Sequence, residues 1–279
     1  KINHRMPELP EVETTRRGIA PYLEKATILD AEIRQFSLRW PIEQNLANIL
    51  KNQTVSTVQR RAKYLLINCD TGILIIHLGM SGSLRIVDAA LAPPPEKHDH
   101  VDIILNNGFM LRYTDPRRFG AILWTEQTIE DHKLFSHLGP EPLTQQFDAN
   151  YLLTQAKSRK CSIKTLIMNG QIVVGVGNIY ASESLFLAKV HPKTSANKLN
   201  KQQANQLVEA IKVILDKAIL AGGTSLKDFT KSDGKPGYFS QELNVYGRKG
   251  ETCFHCGNTI EHYKETQRAT YYCPVCQQI

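Results

Sequence analysis

Four of the six cysteines stand near the carboxyl end as two Cys-X-X-Cys pairs, Cys253/Cys256 and Cys273/Cys276, and no other feature constrains the fold as strongly. Each pair can form a tight turn that directs two thiolates at one ion. The residues between the pairs, 257–272, suffice for two hairpins that meet at a tetrahedral metal. We therefore predict one structural zinc ion per chain, with a redox pair or an iron site as the alternatives.

The four sulfur ligands also limit what this metal can do. They leave zinc no open coordination position, so we expect the ion to stabilise the fold, and a zinc-dependent hydrolase is excluded. The tail of residues 246–279 is too short to fold stably without its metal. The remaining two cysteines, Cys69 and Cys161, have no partner at metal-binding spacing, and we interpret them as ordinary thiols.

Length and charge set the broad class of protein. The 279 residues suffice for two domains, and 34 Lys and Arg against 27 Asp and Glu give a net charge of +7. Such a basic chain favours a polyanion such as nucleic acid as partner, although basic proteins without such a partner exist. No apolar run reaches the roughly 18 residues of a membrane span. Residues 1–13 lack the apolar core of a secretory signal, so we expect a cytoplasmic location and no membrane partner.

The hydrophobic pattern changes along the chain. Between Val55 and about Trp124, β-branched and apolar runs alternate with turn formers, including the hairpin signal Asn106-Asn107-Gly108, which predicts a β-sandwich. The Pro-rich stretch 90–100 predicts an exposed loop, and residues 138–148 have the composition of a linker.

A long amphipathic helix is predicted beyond the linker. Between Asn200 and Ala221, apolar residues recur at spacings of three and four, which is the pattern of one buried helix face. Asn200 with Gln203 can cap its start, and Gly222 with Gly223 can end it.

An unusual motif begins after Met6, where a proline and a carboxylate follow at once and the chain reads Pro7-Glu8-Leu9-Pro10-Glu11. Further specific blocks follow in order: RRAKYLL, HLGMSGSLR, KHDHVD, YTDPRRFGA, HLGPEPL, VVGVGNIYASE, SDGKPGYF, VYGRKG and QRATYYCPVC. With these blocks the chain resembles the bacterial formamidopyrimidine-DNA glycosylases. The resemblance implies a monomeric base excision repair enzyme that removes 8-oxoguanine and formamidopyrimidines from damaged double-stranded DNA and then cuts the strand by β,δ-elimination.

The chemistry of the first residues fits this resemblance. Once Met6 is removed, Pro7 has a secondary amine with a pKa near the α-amino reference of about 8. Attack on the anomeric carbon displaces the base and gives an iminium cation, which acidifies the sugar and drives elimination of the phosphates. Glu8 can protonate the sugar ring oxygen. Alone, however, Pro7-Glu8 would be an unremarkable chain start.

The resemblance assigns further catalytic roles. It implies that Lys63 approaches the sugar phosphates, although a strand lysine in solvent is the plain alternative. Glu11 would be a supporting carboxylate. Arg268 would carry a catalytic cation to a phosphate from the tip of a hairpin, whereas an isolated exposed arginine is usually only solvated.

Removing a nucleotide from the stack leaves a space that must be filled, and the resemblance assigns this task to Met80, Arg117 and Phe119. For Met80 and Phe119 the alternative is the sandwich core. The remaining implied DNA contacts are His77, His98, Arg159, Asn178 and Tyr246. Gly175-X-Gly177-Asn178 lies where the family has a helix-two-turn-helix motif, and SDGKPGYF would form a loop over the flipped base. The cations of 157–164 fit a DNA channel or a solvated face.

Together these observations predict a multidomain α+β fold. We expect an N-terminal β-sandwich catalytic domain at 7–138, a linker at 139–148, a helical DNA-binding domain at 149–245 and a zinc-ribbon finger at 246–279. We expect a cytoplasmic, nucleoid-associated bacterial protein.

One departure concerns Lys1 to Arg5, which precede Met6. While they are attached, the Pro7 nitrogen is a tertiary amide that cannot attack, so we expect Met6 to be the physiological start.

Two other functions stay open. The sister enzyme for oxidised pyrimidines, endonuclease VIII, typically begins Pro-Glu-Gly-Pro, whereas this chain has Leu9. A noncatalytic zinc-ribbon DNA-binding protein is the second.

Overall fold

A computed structural model describes residues 7–222 and 243–279. These residues form two compact units, one of 7–136 with 221–222 and the other of 137–220 with 243–279. The predicted SDGKPGYF loop and Gly223 lie outside the described residues. Within the described ranges, no helix combines the length and the apolar character needed to cross a lipid bilayer.

The first unit begins with helix α1 (Leu9–Leu23) and contains two antiparallel four-stranded sheets. The first sheet has the order β1 (Ile28–Ile33), β6 (Asp99–Leu105), β7 (Phe109–Thr114), β5 (Ser83–Asp88). The second has the order β2 (Val55–Arg61), β3 (Tyr64–Cys69), β4 (Ile73–His77), β8 (Ala121–Thr125). A short helix, α2 (Leu46–Leu50), lies between β1 and β2.

The apolar residues of these strands make one core. Leu65, Leu74 and Ile122 from the second sheet are buried in the same cluster as Leu84 and Val101 from the first. Burial of apolar surface on facing sheets is what holds a sandwich together. Strands β6 and β7 are joined through Asn106-Asn107-Gly108, and Gly108 has a φ of 85°, as the predicted hairpin requires.

The second unit is helical at its amino end. Its helices are α3 (Ala149–Ala156), α4 (Ile163–Ile167), α5 (Asn178–Leu187) and α6 (Lys201–Leu220), with a 3₁₀ turn at Ala196–Lys198. Helix α6 confirms the predicted amphipathic segment. Asn200 accepts from the backbone N–H of Gln203 at 2.8 Å, and Gln203 accepts from that of Asn200 at 3.1 Å. Gly222, with a φ of 79°, follows the helix end.

The carboxyl end of this unit contains the hairpin of β9 (Glu261–Glu265) and β10 (Arg268–Tyr272), together with the four cysteines. The observed architecture confirms the predicted fold class: a β-sandwich, a helical segment with two turns between α4 and α5, and a ribbon with a metal-binding cluster. The bounds predicted for the individual domains stay predictions.

Candidate active site and nucleic-acid interface

Helix α1 starts directly after Pro7-Glu8, and its first turn orders these two residues. Glu8 is the N-cap, and its backbone N–H donates to Oε2 of Glu11 at 3.0 Å. Both carboxylates are buried, with Glu8 5% and Glu11 1% exposed. A capping box of this kind fixes the direction in which the chain enters a helix. Pro7, which is buried, therefore lies directly before an ordered helix start.

Lys63 and His77 lie close together on the second sheet. Lys63 is half-buried in the turn between β2 and β3, and the next residue, Tyr64, pairs with His77. Burial, together with the positive charges of Lys63 and Arg39, lowers the pKa of His77 to about 4. His77 Nδ1 accepts from the backbone N–H of Gly79 at 3.0 Å. The neutral ring therefore has its proton on Nε2, where it can donate.

Two turns at one end of the sandwich carry Met80, Arg117 and Phe119. Met80 is half-buried in the turn between β4 and β5, and Phe119 is 46% exposed, so neither side chain belongs to the core. The Arg117 guanidinium lies over the Phe119 ring at 5.0 Å. Its Nη1 is buried without a hydrogen-bond partner within the described part of the chain. These three side chains can thus act together on a nucleic acid.

His98 lies beside the same turns. Its ring is half-buried at the end of the Pro-rich loop, which is exposed over most of its length as predicted. The backbone N–H of Asp115 donates to the carbonyl oxygen of His98 at 3.0 Å. The loop that carries His98 is thereby fixed to the loop that carries Arg117 and Phe119.

In the second unit, Asn178 begins α5 and stands at the centre of a polar cluster. Its Oδ1 accepts from Lys164 Nζ at 2.6 Å, and its Nδ2 donates to the Tyr246 hydroxyl at 3.2 Å and to the carbonyl oxygen of Ala269 at 3.0 Å. Gly177 is the N-cap, so backbone N–H groups of α5 start beside this cluster. A helix start with such donors suits a phosphate.

Arg268 is exposed at the tip of the β9–β10 hairpin, as the sequence predicted. Thr266 and Gln267 form the turn, with φ values of 45° and 63°. Lys164 Nζ also donates to Thr270 Oγ1 at 2.6 Å, and Thr165 Oγ1 donates to Glu265 at 3.2 Å. Helix α4 thus anchors both strands of the hairpin that presents Arg268.

The cations of 157–164 divide into different environments. Lys157 and Lys160 are exposed, whereas Lys164 is 2% exposed and acts as an internal organiser. Arg159 is half-buried, and its Nη1 donates to the carbonyl oxygen of Gln155 at the end of α3. Neither of the two simple alternatives, channel or solvated face, describes this whole group.

The four cysteines of the ribbon converge. Their Sγ atoms all lie within 4.8 Å of one another, with Cys253 and Cys276 at 3.9 Å and Cys256 and Cys273 at 3.4 Å. Tetrahedral Zn–S bonds of about 2.3 Å give S···S separations of about 3.8 Å, so one zinc ion fits this donor set. Among the other thiols, burial raises the pKa of Cys69 to about 12, which keeps it protonated and inert.

Three family models match successive parts of the chain. They are the formamidopyrimidine-DNA glycosylase N-terminal domain over 6–122, the H2TH domain of the same glycosylase over 138–230, and a zinc finger found in FPG and IleRS over 250–279. The formamidopyrimidine-DNA glycosylase of Enterobacter sp. is 57% identical over 273 residues, which cover 98% of this chain and 100% of the relative. The chain belongs to the formamidopyrimidine-DNA glycosylase family.

Other relatives and solved structures of the family agree with this assignment. The formamidopyrimidine-DNA glycosylase of Klebsiella pneumoniae is 56% identical over the same share of both chains. The MutM (FPG) protein of Thermus thermophilus superimposes with a TM-score of 0.85 at 33% identity, over 97% of this chain and 98% of that chain. Lactococcus lactis Fpg in complex with DNA containing N7-benzyl-Fapy-dG superimposes with a TM-score of 0.89 at 35% identity, over 98% and 100%.

Sequence reasoning missed several residues that organise these sites. Asp115 entered the sequence analysis only as part of the block YTDPRRFGA, yet it is fully buried and accepts several hydrogen bonds. Glu183 accepts the backbone N–H groups of Asn244, Val245 and Tyr246 at 2.8–2.9 Å. No sequence motif indicated the roles of Asp115 and Glu183, because most of the hydrogen-bond donors to these two carboxylates are backbone N–H groups.

Proposed function

We propose that this chain is a base excision repair enzyme, a bifunctional glycosylase and abasic-site lyase that removes oxidised purines from duplex DNA as a monomer. The observation that carries the proposal is the ordered Pro7-Glu8 start of α1 in a chain 57% identical to a formamidopyrimidine-DNA glycosylase over that relative's full length. Two solved structures of one relative, Lactococcus lactis Fpg, contain DNA, one with N7-benzyl-Fapy-dG and one with an abasic site.

The reaction starts at the nitrogen of Pro7 in a form of the protein whose first residue is Pro7. The amine attacks the anomeric carbon of the damaged nucleotide, and the bond to the base breaks, with the amine proton passing to the base. Glu8 then protonates the sugar ring oxygen, so that the bond between this oxygen and the anomeric carbon breaks and the ring opens. The resulting iminium has no N–H proton to lose, so it withdraws electrons from the sugar. Loss of the adjacent sugar proton then expels the 3′ phosphate, and a second elimination expels the 5′ phosphate.

The neighbouring groups of the first unit support these steps. Glu11 holds the backbone of Glu8 and so directs its carboxyl group. The Lys63 ammonium stabilises the leaving phosphate, and neutral His77 donates from Nε2 to the DNA backbone. The low pKa of His77 means that this donor keeps the same protonation state across the physiological range.

Base flipping is assigned to the turns of the sandwich. Met80 and Phe119 fill the space left in the stack, and Arg117 Nη1, which has no hydrogen-bond partner among the described residues, binds the orphaned base. His98, next to these turns, contacts the DNA backbone.

In the second unit, Asn178 and Tyr246 bind a phosphate at the start of α5, and Arg268 meets a phosphate from the hairpin tip. Arg159 adds a peripheral DNA contact. A zinc ion held by the four cysteines would supply no reaction step and would keep this hairpin folded. The domain bounds at 138, 148 and 245 and a nucleoid-associated location in the bacterial cytoplasm belong to the same proposal.

Borohydride trapping tests the proposal directly. Protein whose mass shows Pro7 as the first residue is incubated with an 8-oxoguanine duplex and, separately, with a duplex bearing an oxidised pyrimidine. We expect a covalent adduct and strand cleavage on the purine lesion, and no adduct when residues 1–6 remain attached, because the Pro7 nitrogen is then an amide. Binding without any adduct would instead indicate a noncatalytic DNA-binding protein. A preference for the pyrimidine lesion would indicate the sister activity.

A further inference from the structure

We infer that Asp115 is a positioning residue that joins the two turns carrying Met80, Arg117 and Phe119 into one rigid wedge, an inference that rests on the proposed function. We call these the wedge turns: residues 79–81 between β4 and β5, and residues 117–120 before β8. Asp115 is fully buried beneath both.

The Asp115 carboxylate accepts hydrogen bonds from both wedge turns, and its Oδ1 bonds to both, since it also accepts from the backbone N–H of Arg117 at 3.3 Å. Oδ1 accepts from the Ser81 hydroxyl at 2.7 Å, which fixes the first turn. Oδ2 accepts from the backbone N–H of Gly120 at 2.8 Å and from the Tyr113 hydroxyl at 3.0 Å, which fixes the second turn and the end of β7. Ser81 Oγ in turn accepts from the backbone N–H of Arg117 at 3.1 Å. The two turns are therefore bonded to each other through Ser81 and Asp115.

The backbone around this carboxylate is packed without spare room. A Cβ on Gly79, whose φ is 63°, would collide with the backbone of Phe119, and a Cβ on Gly120 would collide with the Tyr113 hydroxyl. Arg118 has a φ of 56°, which costs a non-glycine residue free energy that surrounding contacts must offset. Close contacts and backbone strain of this kind restrict the two wedge turns to one conformation relative to each other.

Asp115 also bonds through its main chain. Its carbonyl oxygen is 2.8 Å from Nε2 of buried His100, and its N–H donates to the carbonyl oxygen of His98. Met80, Arg117 and Phe119 thus lie on turns that are supported by a buried carboxylate, and both oxygens of this carboxylate accept hydrogen bonds. Because insertion into a base stack requires placement within a fraction of an ångström, loosening this support should affect only steps that need the wedge.

The test compares two substrates for each variant. Excision of 8-oxoguanine from a duplex needs the wedge, whereas cleavage of a preformed abasic site in single-stranded DNA has no stack to fill. We expect Ser81→Ala to lower the duplex rate on the order of tenfold and the single-strand rate less than twofold. Asp115→Asn should lower the ratio of the duplex rate to the single-strand rate further than Ser81→Ala does. Ser56→Ala is the matched control, since it removes the hydroxyl of an exposed serine on β2 that bonds only to the carbonyl oxygen of Asn68 at 3.1 Å among the hydrogen bonds of the described residues, and its ratio should stay at the wild-type value.

The outcomes separate this inference from the proposed function. If the wild-type protein cuts neither substrate, the proposed function fails. If the wild type cuts both and neither Ser81→Ala nor Asp115→Asn changes the rate ratio by more than twofold, only the positioning role of Asp115 is overturned. An equal loss on both substrates would also overturn it, because that is the signature of a general folding defect. Should Asp115→Asn not fold, Ser81→Ala alone decides.

Discussion

Arg60 Nη1 donates a 2.8 Å hydrogen bond to the carbonyl oxygen of Ala62, the residue directly before Lys63. Arg60 Nε meets Glu13 of α1 at 3.2 Å, and Glu13 has a lowered pKa because hydrogen bonds from Arg16 and Arg17 outweigh its burial. The Lys63 turn is therefore connected through one ion pair to the helix that starts at Pro7-Glu8. The Arg60–Glu13 ion pair therefore helps to position both the proposed nucleophile, Pro7, and the proposed catalytic cation, Lys63.

We predict that Arg60→Lys slows strand cleavage on the order of tenfold, because lysine keeps the charge but cannot reach Glu13 and Ala62 together. Single-turnover gel assays on an abasic duplex measure this rate. Arg17→Lys is the control, since Arg17 also binds Glu13 but is 54% exposed. Equal rates for the two variants would contradict the prediction.

The Glu183 carboxylate leads to a second prediction. It is 1% exposed and accepts four hydrogen bonds from residues 244–246, one of them from the Asn244 side chain at 3.1 Å. Glu183→Gln places an amide N–H against these donors and should cost about 1–3 kcal/mol of unfolding free energy. DNA affinity should fall as well, because Tyr246 loses its support.

Urea unfolding and fluorescence anisotropy with a lesion duplex measure both effects. Glu209→Gln, on the exposed face of α6, provides the matched change of charge. An unchanged midpoint for Glu183→Gln would mean that these hydrogen bonds are replaced without loss.

His77 predicts a pH dependence of stability. Its pKa is about 4 in the fold, against an ordinary value of 6.5, chiefly because the ring is buried. Between these two pH values the unfolded chain binds a proton that the folded chain does not, so stability rises with pH in that window. The contribution of neutral His77 to the free energy of unfolding is complete above pH 6.5 and is lost as the pH falls towards 4.

Unfolding free energies measured at pH 7 and pH 5 check this sign. His77→Gln should flatten the difference, because glutamine can still accept from Gly79 but does not titrate. The exposed His137→Gln should leave the difference as it is in the wild type.

Removal of zinc provides the fourth prediction. A chelator, or Cys253→Ser, should unfold the ribbon and reduce affinity for lesion DNA on the order of tenfold or more, because Arg268 loses its platform. Anisotropy titrations with and without added Zn²⁺ measure the loss and its recovery. Cys161→Ser changes an exposed thiol outside the cluster and should bind DNA normally.

Sequence alone predicted the features whose signals are local. Helix α6 followed from its apolar spacing and the Asn200–Gln203 cap, and the metal cluster followed from the two Cys-X-X-Cys pairs. The buried polar residues that hold the site loops in place could not be predicted in this way. Ser81 and Asp115 are distant in sequence, and Glu183 binds backbone N–H groups that any residue supplies. The sequence also left Lys164 among surface cations, because burial of a lysine depends on packing partners from α5 and β10.

The four convergent thiolates have a chemical consequence for an enzyme proposed to act on oxidised bases. Peroxide converts cysteine sulfur to sulfenic acid and then to higher acids, which no longer bind the ion. A severe oxidative burst would therefore disable the hairpin tip at the time when lesions are most numerous. Reductant reverses only the sulfenic stage, so recovery would require reductant and fresh metal before the higher acids form, and repair capacity depends on the thiol and zinc supply of the cell.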